Sequence, residues 1–181
     1  MEMFATTSAA HRRQASCIVV GMFESGKPGP GIDDIDAASS GYVRKLVKQG
    51  DITGRTGTSM MLTNVPGVRA KRVLVVGLGK AKAFGVTAFR KAVTTSIGVI
   101  RGTRIGDIVS YLGAQDVNGA DAYYVGRYTV ETIGAALYTF SETKSGRKPR
   151  APALKKIGFG VTSRGDSNSA VRGADISCMA L

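Results

Sequence analysis

Arg72-Val73-Leu74-Val75-Val76-Gly77-Leu78-Gly79-Lys80 is a block of β-branched and apolar residues entered by bases and left through two glycines. A half-solvated strand alternates apolar and polar side chains, whereas an unbroken block of this length suits a strand buried on both faces. Such a strand needs a neighbour on each side and helices above and below, which predicts the centre of an α/β sheet. The two glycines invite a dinucleotide reading, but that fingerprint needs a third glycine five residues after the first and an acid about twenty residues further on. Lys82 stands at the third position, and no Asp or Glu lies between Lys80 and Asp107. The block therefore reads as a core strand ending in a flexible turn.

Around this strand stand 181 residues, 43% hydrophobic and 21% charged, which is the length and composition of one folded domain with room for an appended element. The charge is lopsided. Twenty-five Lys and Arg against thirteen Asp and Glu give a formal +12, which favours polyanions at long range without specifying one. Cys17 falls in a strand-like run and Cys178 in a helix-like one, which predicts two buried thiols, no disulfide, and a reducing, cytoplasmic setting. The first fourteen residues hold no apolar run of signal-peptide length, and nowhere do eighteen apolar residues follow one another. Membrane insertion and secretion are not expected.

In chain order, Cys17 to Phe23 predicts a second buried strand, followed by a Gly/Pro loop over 26–31. Asp33, Asp34 and Asp36 crowd together without His or Cys nearby, so they read as acids of a first helical turn and not as a metal site. One amphipathic helix is expected to run from them through Tyr42, Val43, Leu46 and Val47 to a stop at Gly50. Thr58 to Thr63 predicts a strand paired with the central one across the Val65-Pro66-Gly67 turn. Thr87 is the expected cap of a helix carrying Phe89, Ala92, Val93, Ser96, Ile97 and Ile100, which Gly102 ends. Asp107 to Leu112 reads as a strand. From about Asp121 a helix with Val125, Tyr128, Thr132 and Ala135 on one face is expected to reach Tyr138 and Phe140, with the tyrosines at 123, 124, 128 and 138 as core.

Lys144 to Lys156 holds six basic residues, no acid and two prolines, the pattern of a solvated loop. Leu154 to Val161 then predicts the last strand. From Asp166 the positions Ala170, Val171, Ala174, Ser177, Cys178 and Leu181 stripe a helix with no stop signal, which reads as the start of a connection to something further. The expected division is an α/β domain over 1–165 and a linking helix over 166–181.

The order Leu46-Val47 … Gly50-Asp51, Gly54-Arg55-Thr56-Gly57, the Arg72 to Gly79 block, and Tyr138-Thr139-Phe140 … Lys144-Ser145 resembles the amino-terminal domain of the cytosolic leucyl aminopeptidase family. That resemblance implies a mixed sheet sandwiched between helices in three layers, related to macro domains. It also implies a hexameric parent enzyme with two divalent metal ions, manganese or zinc, that removes N-terminal residues from peptides. The family's ligands are grouped in a carboxy-terminal domain with an Asn-Thr-Asp-Ala-Glu-Gly-Arg signature absent from this sequence. No catalytic or metal-binding residue carries over, and no cofactor is expected in this chain. The expected roles are structural: Val73, Leu74, Val75, Val76, Gly77 and Gly79 in the core, and Ala174, Cys178 and Leu181 at a junction to a catalytic domain. The chain would then serve assembly and active-site access. Two other readings stay open. One is a nucleic-acid-binding module, as in some bacterial members, through Lys144, Arg147, Lys148, Arg150, Lys155 and Lys156; the other is a macro-type ADP-ribose site at Gly77 to Gly85.

Overall fold

Two strands buried along nearly their whole length, β2 (Cys17–Phe23) and β4 (Arg72–Gly79), lie parallel and adjacent, with Ile18 opposite Val73 and Val20 opposite Val75. The computed structural model describes residues 1–29, 31–137 and 153–179, with side chains only as far as 176 at the carboxyl end. Around this pair the sheet grows to six strands in the order β1 (Glu2–Thr6), β6 (Lys156–Gly160), β5 (Asp107–Ser110), β2, β4, β3 (Ser59–Thr63). All neighbours are parallel except β3, which runs antiparallel to β4 at one edge. Parallel neighbours require crossovers, and helices supply them on both faces.

Alternation along β2 and β4 divides the core. Cys17, Val19, Leu74, Val76 and Leu78 face one layer, with α3 (Val86–Arg101), α4 (Ala122–Leu137) and α5 (Arg164–Met179) on that side. Ile18, Val20, Met22, Val73 and Val75 face the other, which holds Ile32 and Ile35 of α1 (Ile32–Ala38) and Val43 of α2 (Tyr42–Gln49). The result is the expected three-layer α/β sandwich with a mixed sheet.

Several expectations need correction. The single helix before Gly50 is two, because Ser40 and Gly41 both take positive φ, 55° and 79°, and break the ladder. Asp33 and Asp34 do sit in the first turn of α1, but Asp36 is 5% exposed and accepts from the Arg44 backbone N–H at 2.9 Å. It serves the start of the next helix, with the Arg44 guanidinium 3.2 Å away. At α3 the capping position is Gly85 in extended backbone, and Thr87 is an exposed first-turn residue. The buried stripe of α4 is Val125, Gly126, Thr129, Val130 and Ile133, with Tyr128 and Thr132 half-buried and Ala135 exposed. Small residues own that stripe because α5 packs close: a Cβ on Gly126 would overlap the Ala170 carbonyl, and one on Gly173 the Tyr123 carbonyl. The rings are displaced outward. Tyr124 is 42% exposed and stacks on Tyr128, over which the Arg90 guanidinium lies at 4.4 Å. Tyr138 and Phe140 lie outside the described residues.

Glu2–Thr6 had no strand signature, yet it pairs in register with β6, 154 residues away at Glu2 and Lys156. Phe4 lies against Gly158, where any side chain would collide with its ring.

Val75 is 2% exposed between the two layers, so a carboxylate there would have neither water nor a partner. Val75→Asp is expected to remove several kcal/mol from a total of roughly 5–15 and abolish the cooperative thermal transition seen by circular dichroism. A variant melting within about two degrees of the parent would refute this placement of β4.

Candidate functional site

The turn leaving β4 is where the dinucleotide pattern stood, and the structure fills it with the chain itself. Gly77 N–H donates to the Thr58 carbonyl and Gly79 N–H to the Gly54 carbonyl, each at 2.9 Å. A Cβ on Gly77 would overlap the Arg55 carbonyl oxygen, and one on Gly79, whose φ is 76°, the Thr56 hydroxyl. Both glycines are thus required by the close approach of the Gly54-Arg55-Thr56-Gly57 segment. Beyond them Ala81–Ala83 forms one 3-10 turn with Lys82 exposed, and Phe84 inserts edge-on between Phe23 and Phe89. The space immediately against Gly77 and Gly79 is occupied by protein.

An open cleft of about 280 Å³ lies instead at the carboxyl ends of β5 and β6, where α4 and α5 begin. Its polar lining includes Ser110, Gln115, Asp116, Asp121, Thr162 and Asp166. Two of the carboxylates are committed to helix starts. Asp121 Oδ1 accepts from the Tyr124 N–H at 3.0 Å. Asp166 accepts from Ser163 Oγ at 2.7 Å and Thr162 Oγ1 at 3.0 Å, while its own N–H donates to Ser163 Oγ at 3.1 Å. This reciprocal cap pulls the Asp166 carboxyl below its ordinary value, chiefly through the Ser163 hydroxyl. Gln115 Nε2 is buried with no acceptor. The cleft can offer one amide donor and an acidic rim, but among its lining residues there is no Cys, His or Lys to pair with Ser110 as nucleophile and base. Sequence periodicity gave no sign of this cleft, because loops after two different strands build it.

A two-metal centre needs several carboxylate or imidazole ligands converging. Among the described residues no three His, Cys, Asp or Glu side chains do so.

The remaining site candidates disperse. Val73, Leu74, Val75, Val76, Gly77 and Gly79 are all buried in β4. Ala174, expected at a junction, is 0% exposed within this domain's own core, whereas Ile176 on the same helix is 51% exposed. The Cys178 side chain and Leu181 lie outside the described residues, as do Lys144, Arg147, Lys148 and Arg150. Lys155 is exposed. Lys156 is not a loop residue: it opens β6, pairs with Glu2 and lies 5.1 Å from the Phe4 ring centroid.

Burial governs the one described thiol. Desolvation in β2 pushes Cys17 from 9.0 up to about 12, and it does the same to the Tyr111 hydroxyl, from 10.0 to about 12. Both groups favour the folded state while neutral, and that contribution is lost as pH rises from their ordinary values through about 12. In a Cys178→Ser background, Cys17 should resist iodoacetamide at pH 8 until the chain unfolds, then react at the rate of a free thiol. Comparable rates in native and unfolded protein would show Cys17 to be accessible.

Comparison with known proteins follows the same lines. The profile described as "Cytosol aminopeptidase family, N-terminal domain" matches residues 19–147. A probable cytosol aminopeptidase of Vibrio campbellii is 33% identical over 168 residues, covering 93% of this chain and 34% of the relative. The chain thus spans about a third of the length of the curated relatives it matches. Among solved structures, a mutant of tomato leucine aminopeptidase aligns over 98% of this chain and 36% of its own, with TM-score 0.70 and 14% identity. An Oceanobacillus iheyensis macrodomain mutant aligns over 98% and 93%, with TM-score 0.67 and 9% identity. These two share the fold, which is macro-domain-like. Among the described residues no helix is long and apolar enough to cross a membrane. With the profile spanning most of the chain, this protein belongs to the cytosol aminopeptidase family and carries that family's N-terminal domain.

Proposed function

We propose that the chain is the non-catalytic part of a metal-dependent aminopeptidase, contributing to assembly and to access to an active site carried elsewhere in the polypeptide. The observation that supports this most is the coverage: relatives named cytosol aminopeptidases extend about three times as far, the chain being 34% of the Vibrio campbellii protein. In this reading the parent is a cytoplasmic homo-oligomer that releases N-terminal amino acids using two divalent ions, manganese or zinc. Both ions would be held by the part of the polypeptide beyond this domain. The expected link over 166–181 packs back onto the domain 1–165 through Ala170 and Ala174, and Ile176 is its outward apolar contact towards the rest of the polypeptide.

A second reading, weak nucleic-acid binding, draws on the net charge of +12 and on exposed Lys155. Its other contacts would come from Lys144, Arg147, Lys148 and Arg150, while Lys156 is already engaged by Glu2.

The experiment is direct. The purified chain, incubated with manganese or zinc and a chromogenic leucine amide, should release no more product than its metal-free control. Metal-dependent release by the chain alone would overturn the non-catalytic reading.

A further inference from the structure

β3 leaves one side of the sheet unpaired. In its register with β4, Ser59 faces Val76 and Thr63 faces Arg72. Gly77 N–H donates to the Thr58 carbonyl at 2.9 Å and Asn64 N–H to the Lys71 carbonyl at 3.3 Å. Hydrogen-bonded pairs alternate along an antiparallel ladder, so Thr58, Met60, Leu62 and Asn64 bond inward. The N–H and C=O groups of Ser59, Met61 and Thr63 therefore point away from the sheet, and among the described residues no partner meets them.

Edge strands are ordinarily blunted by lysine, proline, a bulge or a covering element. Ser59-Met60-Met61-Leu62-Thr63 carries no charge and no proline, and its register is unbroken over all five positions. Ser59 and Thr63 are exposed, and Met60 and Met61 are half-buried.

The surrounding charge says what fits. From Ile52 to Gly106 the sequence holds ten Lys and Arg and no Asp or Glu. Arg55 stands before the strand, with a long 3.9 Å contact to Glu24 and its side chain 74% exposed. Arg69 and Lys71 are exposed beyond the other end, and Arg72 is the cross-strand neighbour of Thr63. A second copy would bring the same cations together at a net charge of +12 each. A segment bearing carboxylates would instead find complementary charge at both ends.

We propose that the β3 edge is a docking site for an extended acidic polypeptide segment, which adds as a seventh strand through the outward groups of Ser59, Met61 and Thr63. Main-chain bonds supply affinity, and Arg55, Lys71 and Arg72 select for acidity. The inference does not depend on the aminopeptidase reading.

The test is a fluorescence-anisotropy titration of the 181-residue chain with a short peptide alternating glutamate and valine, alongside its lysine counterpart and a short DNA duplex. The acidic peptide should bind and the basic one should not. Met61→Pro removes an outward N–H while sparing the ladder to β4 at the cost of one half-buried side chain, so it should weaken peptide binding about tenfold in a chain that still melts cooperatively. Hydrogen exchange of the unsubstituted chain provides a readout free of any folding defect: the acidic peptide should slow the Ser59, Met61 and Thr63 amides. Unaltered exchange there, or peptide binding that survives in a folded Met61→Pro variant, would overturn the proposal. Binding of DNA but not peptide would do the same, as would a dimer abolished by Met61→Pro, which would assign the edge to a second copy.

Discussion

Burial of β2 and β4 on both faces is the constraint from which the rest of the architecture follows. Neither strand can present a side chain to water, so each must find ladder partners on both sides and apolar cover above and below. β5 and β3 complete the ladders, and α1 and α2 on one face with α3 and α4 on the other complete the cover. The fit is tight enough to dictate glycine: a Cβ on Gly21 would overlap the Leu78 side chain, and Gly29 lies against the Gly21 carbonyl. Packing at this density makes each such position intolerant of even one methyl group.

The same demand for satisfied polar groups explains what the acids do. In a chain with only thirteen Asp and Glu, several are spent on structure: Asp36 on α2, Asp121 on α4, Asp166 on α5, and Asp107 on the Ser16 backbone N–H at 2.9 Å. Asp36, Asp121 and Asp107 offset backbone donors that would otherwise be orphaned at a helix or strand end, and Asp166 holds the Ser163 hydroxyl that in turn accepts its own N–H. The cations are left in excess on one long stretch, which gives the β3 edge its charge.

How much of this could be read from sequence depends on how local the signal was. The block from Arg72 to Gly79 and the run from Cys17 to Phe23 announced themselves, because two-sided burial leaves an uninterrupted apolar word. β3 was legible as a strand candidate leading into the Val65-Pro66-Gly67 turn, and α3 as apolar positions recurring at helical spacing from Phe89 to Ile100. The break between α1 and α2 was hidden because apolar spacing continues across it, and only the positive φ of Ser40 and Gly41 shows the interruption. The face of α4 was read only in part: Val125 is inward as expected, but Gly126 and Thr129, which periodicity counts as nothing, complete the inward stripe, while Tyr124 lies outside and Tyr128 is half-buried. β1 had no local signal at all, its identity being conferred by β6 at the far end of the chain. The cleft beside Asp121 and Asp166 was invisible for the same reason, being assembled from loops that only the sheet brings together. Family membership was legible through the order of short motifs, since the residues themselves spell structure.

Native-state hydrogen exchange resolved by residue tests most directly whether two-sided burial organises the chain. If β2 and β4 are the frame, the amides of Ile18 to Gly21 and Val73 to Val76 should exchange slowest of all and only through global unfolding, with those of β1 opening at lower free energy. Exchange of the β2 and β4 amides as fast as those of Met3 to Ala5 would contradict the account.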